Sequence, residues 1–245
     1  ALKASYKTNI NRKYETIISL NKDALIDDYI LEHKRNKKEL EIISLLKEKD
    51  INKKEINSPS LKNLINNGIV LEIKKEVNRE VMVLDEKKRD IKLTDKQESA
   101  VNEIIYSRDS KFLLYGVTGS GKTEVYIELL KRTINEGKTG IVLVPEISLT
   151  PQIVSRFKSV FGSSVAVFHS SLSEGEKYDE YRRIMNHEVS LVVGARSAIF
   201  VPLNNIGLII VDECQSQTYK QENTPKYNAI DVAFLRGEYN NAKVI

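Results

Sequence analysis

The segment GVTGSGKTEVY, residues 116–126, constrains the fold of this 245-residue chain more than any other feature. It matches the pattern G-x-x-x-x-G-K-[ST], follows the apolar run FLLY (112–115) and precedes a helix-like stretch. A glycine-rich loop between a strand and a helix turns its backbone N–H groups toward phosphate oxygens, and the helix N-terminus adds a positive end. This context predicts a nucleotide-binding P-loop.

The pattern assigns a role to each of its fixed positions. Gly116 and Gly121 allow the backbone to turn inward around phosphate oxygens. Lys122 reaches the β- and γ-phosphates of a nucleoside triphosphate, and the Thr123 hydroxyl completes the coordination of Mg²⁺.

A second half of the site is predicted where the apolar run GLIIV (207–211) ends in Asp212 and Glu213. Asp212 is expected to hold Mg²⁺ through water, and Glu213 to orient and deprotonate the attacking water. Two adjacent acids after a strand can also be an ordinary solvated loop, but the P-loop upstream favours the catalytic interpretation. ATP hydrolysis, a phosphoryl transfer to water, is the predicted reaction.

The region from residue 93 to 245 follows a βαβ pattern. Short apolar runs at 112–115, 140–144, 165–169, 190–194 and 207–212 are typical of buried parallel strands, and helical stretches lie between most of them. The predicted fold is a doubly wound α/β domain with a mostly parallel sheet.

The first ninety residues differ, being rich in Lys, Asn and Glu. Apolar residues at helical spacing predict a first helix at 36–50. A second helix follows, with Ser58 as its N-cap, Pro59 at its first position and Gly68 as the residue that ends it. A β-like stretch comes next, at 69–84. This order favours a small winged-helix domain at 31–84, although a small packed module of another kind fits it too. Residues 1–30 are predicted to be an N-terminal linker segment in which ETIISL forms a possible strand, and 85–92 a charged linker.

Composition limits the cellular setting. No apolar run is long enough to span a membrane, and the N-terminus lacks the apolar core of a signal peptide. The single cysteine, Cys214, excludes an internal disulfide and fits a cytoplasmic protein without a cysteine-based metal site. The net charge of +4 mildly favours a polyanionic partner.

Seven segments occur in an order that identifies a family: LTDKQ, GVTGSGKTEVY, VPEISLTPQ, FHSSLS, VVGARSAIF, IIVDEC and TYKQENTPKYNAIDVA. Together they resemble the PriA family of replication-restart DNA helicases (primosomal protein N′), within helicase superfamily 2. The match is strong over 93–245 and weaker over 1–92. It implies a RecA-like first helicase lobe preceded by a winged helix, ATP and Mg²⁺ as ligands, and forked DNA with a single-strand/duplex junction as partner. Primosome proteins and single-strand-binding proteins are the further partners that it implies.

The resemblance also implies roles for individual residues. Gln97 would read the adenine, and the loop from Gly116 to Thr123, including Thr118, Gly119 and Ser120, would cradle the triphosphate. The segments VPEISLTPQ and VVGARSAIF would contact the DNA backbone through Thr150, Gln152, Arg196 and Ser197. In the aromatic-rich loop that couples DNA engagement to hydrolysis, Tyr219 and Tyr227 would stack on bases or transmit strain. For each of these positions, ordinary capping, core packing or a plain surface loop is the alternative.

The chain departs from the family pattern in two places. Cys214 and Gln215 replace the usual Glu-His after the two acids, and Gln215 is expected to contact a γ-phosphate or a water in the catalytic set. The family's second lobe with its arginine finger, its zinc-binding cysteines and the domain that reads a 3′ DNA end have no counterpart here. We therefore expect a fragment that binds nucleotide but hydrolyses it weakly, with zinc only in the missing C-terminal part.

Two other functions remain open from the sequence. One is a different superfamily 2 translocase, such as a RecG-like fork remodeller. The other is a nucleotide-gated DNA-binding regulator, in which the winged helix provides the activity and little motor function is present.

Overall fold

The chain divides into two units, residues 1–79 and 80–245. The computed structural model describes residues 12–56, 58–77, 79, 92–117 and 119–245. Within those residues, no helix is both long and apolar enough to cross a bilayer. The predicted linker at 85–92 lies almost entirely outside the described residues, as does the last part of the predicted β stretch, 81–84.

The first unit is a three-stranded antiparallel sheet covered by helices. Its elements are β1 (Tyr14–Leu20), α1 (Ile26–Glu32), α2 (Lys37–Glu48), β2 (Ile51–Asn52), α3 (Pro59–Asn66) and β3 (Val70–Glu76). The strand order is β2-β1-β3, and β1 pairs with β3 along its whole length, from Tyr14 opposite Glu76 to Leu20 opposite Val70.

The helix α3 begins and ends at the residues that the sequence indicates. The Ser58 hydroxyl accepts a hydrogen bond from the Ser60 N–H at 3.3 Å, and Pro59 occupies the first turn, where no N–H is needed. Gly68 follows the helix with φ = 70°, a left-handed conformation that glycine adopts without a Cβ clash.

The first unit begins earlier than the predicted winged-helix boundary at residue 31. The possible strand in ETIISL is present as part of β1, and Ile18 of β1 is fully buried in the same apolar cluster as Ile43 and Leu64. Residues 14–30 therefore belong to the folded unit and are not a linker, because the sheet cannot form without β1. The winged-helix assignment itself stays a prediction.

The second unit contains the parallel sheet that the sequence predicts. Its elements are α4 (Asp95–Tyr106), α5 (Lys122–Asn135), β4 (Thr139–Leu143), α6 (Pro151–Phe161), β5 (Val165–Phe168), α7 (Glu174–Met185), β6 (Leu191–Gly194), β7 (Ile206–Val211), β8 (Lys220–Gln221), β9 (Tyr227–Asn228), α8 (Ala229–Asn240) and β10 (Lys243–Val244). Five of the strands form one parallel sheet in the order β10-β7-β4-β6-β5, and β8 and β9 form a small hairpin.

Both faces of this sheet are buried, which explains the continuous apolar runs in its strands. Alternate residues of a strand point to opposite faces, so Ile141 of β4 packs in the cluster that contains α8. Its neighbour Val142 packs in the cluster formed with α4, α5 and α6. The doubly wound α/β prediction is confirmed.

One predicted strand, FLLY at 112–115, is not a strand of the described chain. Lys111 makes an isolated parallel bridge to Val244, and the Phe112 N–H donates to the Val244 carbonyl at 2.9 Å. Among the described residues, the rest of the run has no strand pairing, and Leu113 and Tyr115 are 78% and 91% exposed. The apolar run matches strand composition, but the described chain gives it no ladder partner past Phe112.

Lys243 holds the turn that leads from α4 into the P-loop segment. Its ammonium donates to the carbonyls of Ile104 and Ser107, both at 2.7 Å, and to that of Asp109 at 3.3 Å. Burial lowers the pKa of Lys243, and the nearby Asp109 carboxylate opposes that shift. The lysine therefore satisfies carbonyls at the end of α4 that have no partner within the helix.

We expect Lys243→Met to lower the free energy of unfolding by about 2 kcal/mol, because three carbonyls lose a charged donor while the apolar stem is kept. Urea denaturation followed by circular dichroism measures this loss. Lys138→Met is the matched control, since Lys138 makes only an exposed pair with Glu136, worth less than about 1 kcal/mol. Equal losses in the two variants would show that the carbonyl contacts of Lys243 add no stability.

Candidate active site

The candidate site lies at the carboxyl end of the parallel strands, where α/β sheets commonly bind ligands. The P-loop leads into α5, whose first residue is Lys122. Asp212 and Glu213 directly follow β7, and β7 pairs with the central strand β4. The fold thus places the loop and the two acids at one edge of the sheet.

The P-loop backbone has the conformation that its glycines permit. Gly119 and Gly121 both have φ = 80°, in the left-handed region that residues with a Cβ rarely adopt. Gly121 is also the N-cap residue of α5, so the loop ends at the positive end of this helix. A Cβ on Gly116 would lie 2.7 Å from the Ser120 hydroxyl oxygen, so these two residues are close together, and Thr118 lies outside the described residues.

The Lys122 ammonium lies between the loop and the acids. It donates to the Gly116 carbonyl at 2.7 Å, and it is 3.7 Å from a carboxylate oxygen of Glu213. The predicted proximity of Lys122 and Glu213 is therefore present in the structure. Thr123, half-buried in the first turn of α5, follows Lys122 directly.

The two acids have different environments. The Asp212 carboxylate accepts a hydrogen bond from the Tyr126 hydroxyl at 3.0 Å. Burial raises the pKa of Asp212, while the Tyr126 hydrogen bond and the Lys122 charge act in the opposite direction. Glu213 has φ = 49°, an uncommon backbone conformation for a residue with a side chain, and its carboxylate accepts a hydrogen bond from the Gln215 amide.

Tyr219 does not have the exposure that base stacking requires. It is 1% exposed and packs in the apolar cluster beneath the sheet. Its hydroxyl donates toward the Asp212 carbonyl at 2.5 Å and the Leu143 carbonyl at 3.1 Å. The prediction that Tyr219 stacks on bases is therefore corrected, because a buried ring cannot receive a base, and the alternative role of transmitting strain is compatible with these contacts.

Gln97 lies against the P-loop. Its side-chain oxygen accepts from the Thr94 N–H at 2.9 Å in a capping box, and its amide nitrogen donates to the Ser120 carbonyl at 3.2 Å. This position is next to the loop, and the adenine-reading role that the resemblance implies for Gln97 stays a prediction. Both polar atoms of the Gln97 amide are already engaged, so reading an adenine requires this side chain to exchange a partner.

The residues predicted to contact DNA occupy three places. Thr150 caps α6, with its hydroxyl accepting from the Ile153 N–H at 3.4 Å, and Gln152 is exposed in the first turn of that helix. Ser197 is exposed after β6. Tyr227 packs edge-to-face on Phe200, with ring centroids 4.9 Å apart.

Arg196 faces the aromatic-rich loop. Its guanidinium donates to the carbonyls of Thr218 and Lys220, at 3.2 and 3.1 Å, on either side of the buried Tyr219. These two carbonyls engage one guanidinium nitrogen, and the predicted contact of Arg196 with DNA phosphates stays a prediction.

Tyr126 is a site residue that the sequence reading missed. It is four residues after Lys122, and residues at this spacing lie on the same face of a helix. The i, i+4 relation inside GKTEVY was the signal that could have identified it.

The residues of the site can supply part of a ligand set for Mg²⁺. The described part of the chain contains no group of three or more His, Cys, Asp or Glu side chains that could hold a metal ion alone. Mg²⁺ is commonly held by one or two protein oxygens together with substrate phosphates and water. The Thr123 hydroxyl and the Asp212 carboxylate supply this type of partial ligand set.

The chain is similar in sequence to proteins of one name from different organisms. The chain is 50% identical over 199 residues to Replication restart protein PriA of Bacillus subtilis (strain 168), covering 79% of this chain and 25% of that protein. It is 51% identical over 134 residues to the protein of the same name from Synechocystis sp., covering 54% of this chain and 16% of that protein. Among solved structures, it is similar to the UvsW helicase from Bacteriophage T4, with 17% identity, a TM-score of 0.49, and coverage of 66% of this chain and 55% of that one.

These relatives confirm the resemblance that the motifs indicate, and the chain spans about a quarter or less of their length. The sequence model of DEAD/DEAH box helicases matches residues 94–236, which is more than half of the chain and includes the P-loop and both acids. The chain therefore belongs to the DEAD/DEAH box helicase family.

Proposed function

We propose that this chain is the DNA-binding unit and the ATP-hydrolysing first lobe of a 3′→5′ DNA helicase that restarts replication by assembling a primosome at stalled forks. The observation that carries the proposal is the position of Lys122, which lies 3.7 Å from Glu213 at the positive end of α5. A phosphate-binding cation, a candidate base and a helix N-terminus thus meet at one point.

The proposed mechanism begins with phosphate binding. The P-loop N–H groups and the N-terminus of α5 donate hydrogen bonds to the phosphates of ATP. Lys122 leaves the Gly116 carbonyl and contacts a γ-phosphate oxygen instead. Thr123 and Asp212 would hold Mg²⁺, which neutralises charge on the phosphates when bound. Glu213 then orients and deprotonates the attacking water, with Gln215 hydrogen-bonded to its carboxylate.

DNA is the proposed polymeric substrate. The exposed Gln152 lies at the N-terminus of α6, a position at which backbone N–H groups favour phosphate, and Ser197 is exposed on a neighbouring loop. Thr150 and Arg196 would join these contacts after exchanging their present backbone partners. The first unit, with its helices and three-stranded sheet, is proposed as a winged helix that binds duplex DNA.

The relatives named PriA extend far beyond the matched segment, so we propose that full activity needs further parts of a longer protein. These would include a second lobe that donates an arginine to the γ-phosphate and a zinc-binding region. Primosome and single-strand-binding proteins are the proposed partners, and the cytoplasm is the proposed location.

We expect Lys122→Ala to weaken binding of a fluorescent ADP analogue at least about tenfold, because charge-assisted contacts to phosphate are lost. Fluorescence anisotropy titration measures the dissociation constant. Lys131→Ala is the matched control, since Lys131 is an exposed lysine of the same helix α5 and is remote from the loop. Binding that is equally strong in all three proteins would rule out the P-loop as the nucleotide site.

We also expect this chain alone to turn over ATP slowly with forked DNA, because a lobe without an arginine from a partner lacks a contact worth several orders of magnitude in rate. A coupled ATPase assay over a titration of forked DNA measures the turnover. Glu213→Gln should lower whatever turnover remains while leaving nucleotide binding within about twofold, since Glu213 acts on the water. Fast, DNA-stimulated turnover would contradict the proposed need for a second lobe.

A further inference from the structure

The Tyr126 hydroxyl joins α5 to the acid at the end of β7. It donates to an Asp212 carboxylate oxygen at 3.0 Å, and the Tyr126 ring is 5% exposed in the apolar cluster beneath α5. The ring packing fixes where the hydroxyl lies, and the hydrogen bond fixes one of the two carboxylate oxygens. The Asp212 side chain is thereby restricted in rotation.

The helix α5 carries three of the groups on which the site depends. Lys122 and Thr123 are its first two residues, and Tyr126 follows within the next turn. The hydroxyl proposed to hold the metal, on Thr123, and the hydroxyl that orients the Asp212 carboxylate, on Tyr126, therefore belong to residues three positions apart on one helix. A displacement of α5 would move both together.

We propose that Tyr126 is a positioning residue that orients the Asp212 carboxylate, which would hold Mg²⁺ together with Thr123. This inference rests on the proposed metal-holding role of Asp212. A partner that orients a metal-binding carboxylate raises metal affinity, because less conformational freedom is lost when the metal binds.

A second tyrosine–carboxylate pair in the first unit shows what a purely structural contact of this kind looks like. The Tyr29 hydroxyl donates to Glu39 at 3.0 Å, and Tyr29 is 8% exposed. Glu39 also accepts hydrogen bonds from Asn36 at 3.1 Å and Asn63 at 3.3 Å, so its carboxylate is enclosed by protein donors. Asp212, in contrast, lies beside the P-loop lysine at the edge where phosphates are proposed to bind.

The test measures how Mg²⁺ supports binding of a fluorescent, non-hydrolysable ATP analogue to the 245-residue chain. Tyr126→Phe keeps the ring and removes only the hydroxyl. We expect it to raise the Mg²⁺ concentration for half-maximal binding about tenfold, and to leave binding in EDTA within about twofold of the unmodified chain. Tyr29→Phe, the matched control, should change neither value.

Asp212→Asn and the double variant Tyr126→Phe/Asp212→Asn show whether Tyr126 acts through Asp212. If it does, the hydroxyl has no further effect once the carboxylate is gone, so the double variant should match Asp212→Asn. Additive effects of the two substitutions would overturn the inference. An equal loss of nucleotide affinity by Tyr126→Phe in EDTA and in Mg²⁺ would overturn it too, because such a loss indicates a general role in folding.

The controls separate failure of the inference from failure of the proposed function. If Asp212→Asn weakens Mg²⁺-dependent binding but Tyr126→Phe behaves like the unmodified chain, only the positioning role of Tyr126 is wrong. If Asp212→Asn leaves the Mg²⁺ dependence unchanged, the metal-holding role of Asp212 is wrong, and the role of Tyr126 with it.

Discussion

The geometry of the site depends on the hydrogen bonds made by the backbone and the carboxylate of Asp212. Its N–H donates to the Leu143 carbonyl of the central strand at 2.9 Å, its carbonyl accepts from Tyr219, and its carboxylate accepts from Tyr126. Sheet, aromatic-rich loop and P-loop helix each hold one polar group of the same residue. The left-handed conformation of Glu213, which costs about 1 kcal/mol or more, is retained because the residue before it is fixed from three sides.

These contacts give the aromatic-rich loop a physical connection to the acids. Arg196 holds the carbonyls on both sides of Tyr219, and Tyr219 in turn holds the Asp212 carbonyl. A ligand that drew Arg196 away would release the loop backbone and remove support from Asp212. Of these hydrogen bonds, those from Arg196 to Thr218 and from Tyr219 to Asp212 are partly buried, and the one from Arg196 to Lys220 is exposed, so the connection is only partly shielded from water.

The sequence predicts those parts of the molecule that local chemistry determines. The P-loop glycines, the acids after β7 and the caps of α3 each follow from residue types at fixed spacing. The sequence does not determine which distant segments pair with each other. The run at 112–115 has strand composition, but in the described chain it is hydrogen-bonded to a neighbouring strand only at its first residue. The partner strand of β1 and the burial of Tyr219 depend on contacts between residues that are far apart in the sequence.

Neighbouring groups also compensate the charge of Lys122 at the proposed phosphate site. The Lys122 side chain is about one-fifth exposed, and its ammonium has both a carbonyl and a carboxylate as partners, so its charge is compensated. Binding a phosphate then replaces one set of charge-assisted contacts by another, and the net gain is the difference between them. The contact with Glu213, at 3.7 Å, keeps the lysine and the candidate base within reach of the same phosphate.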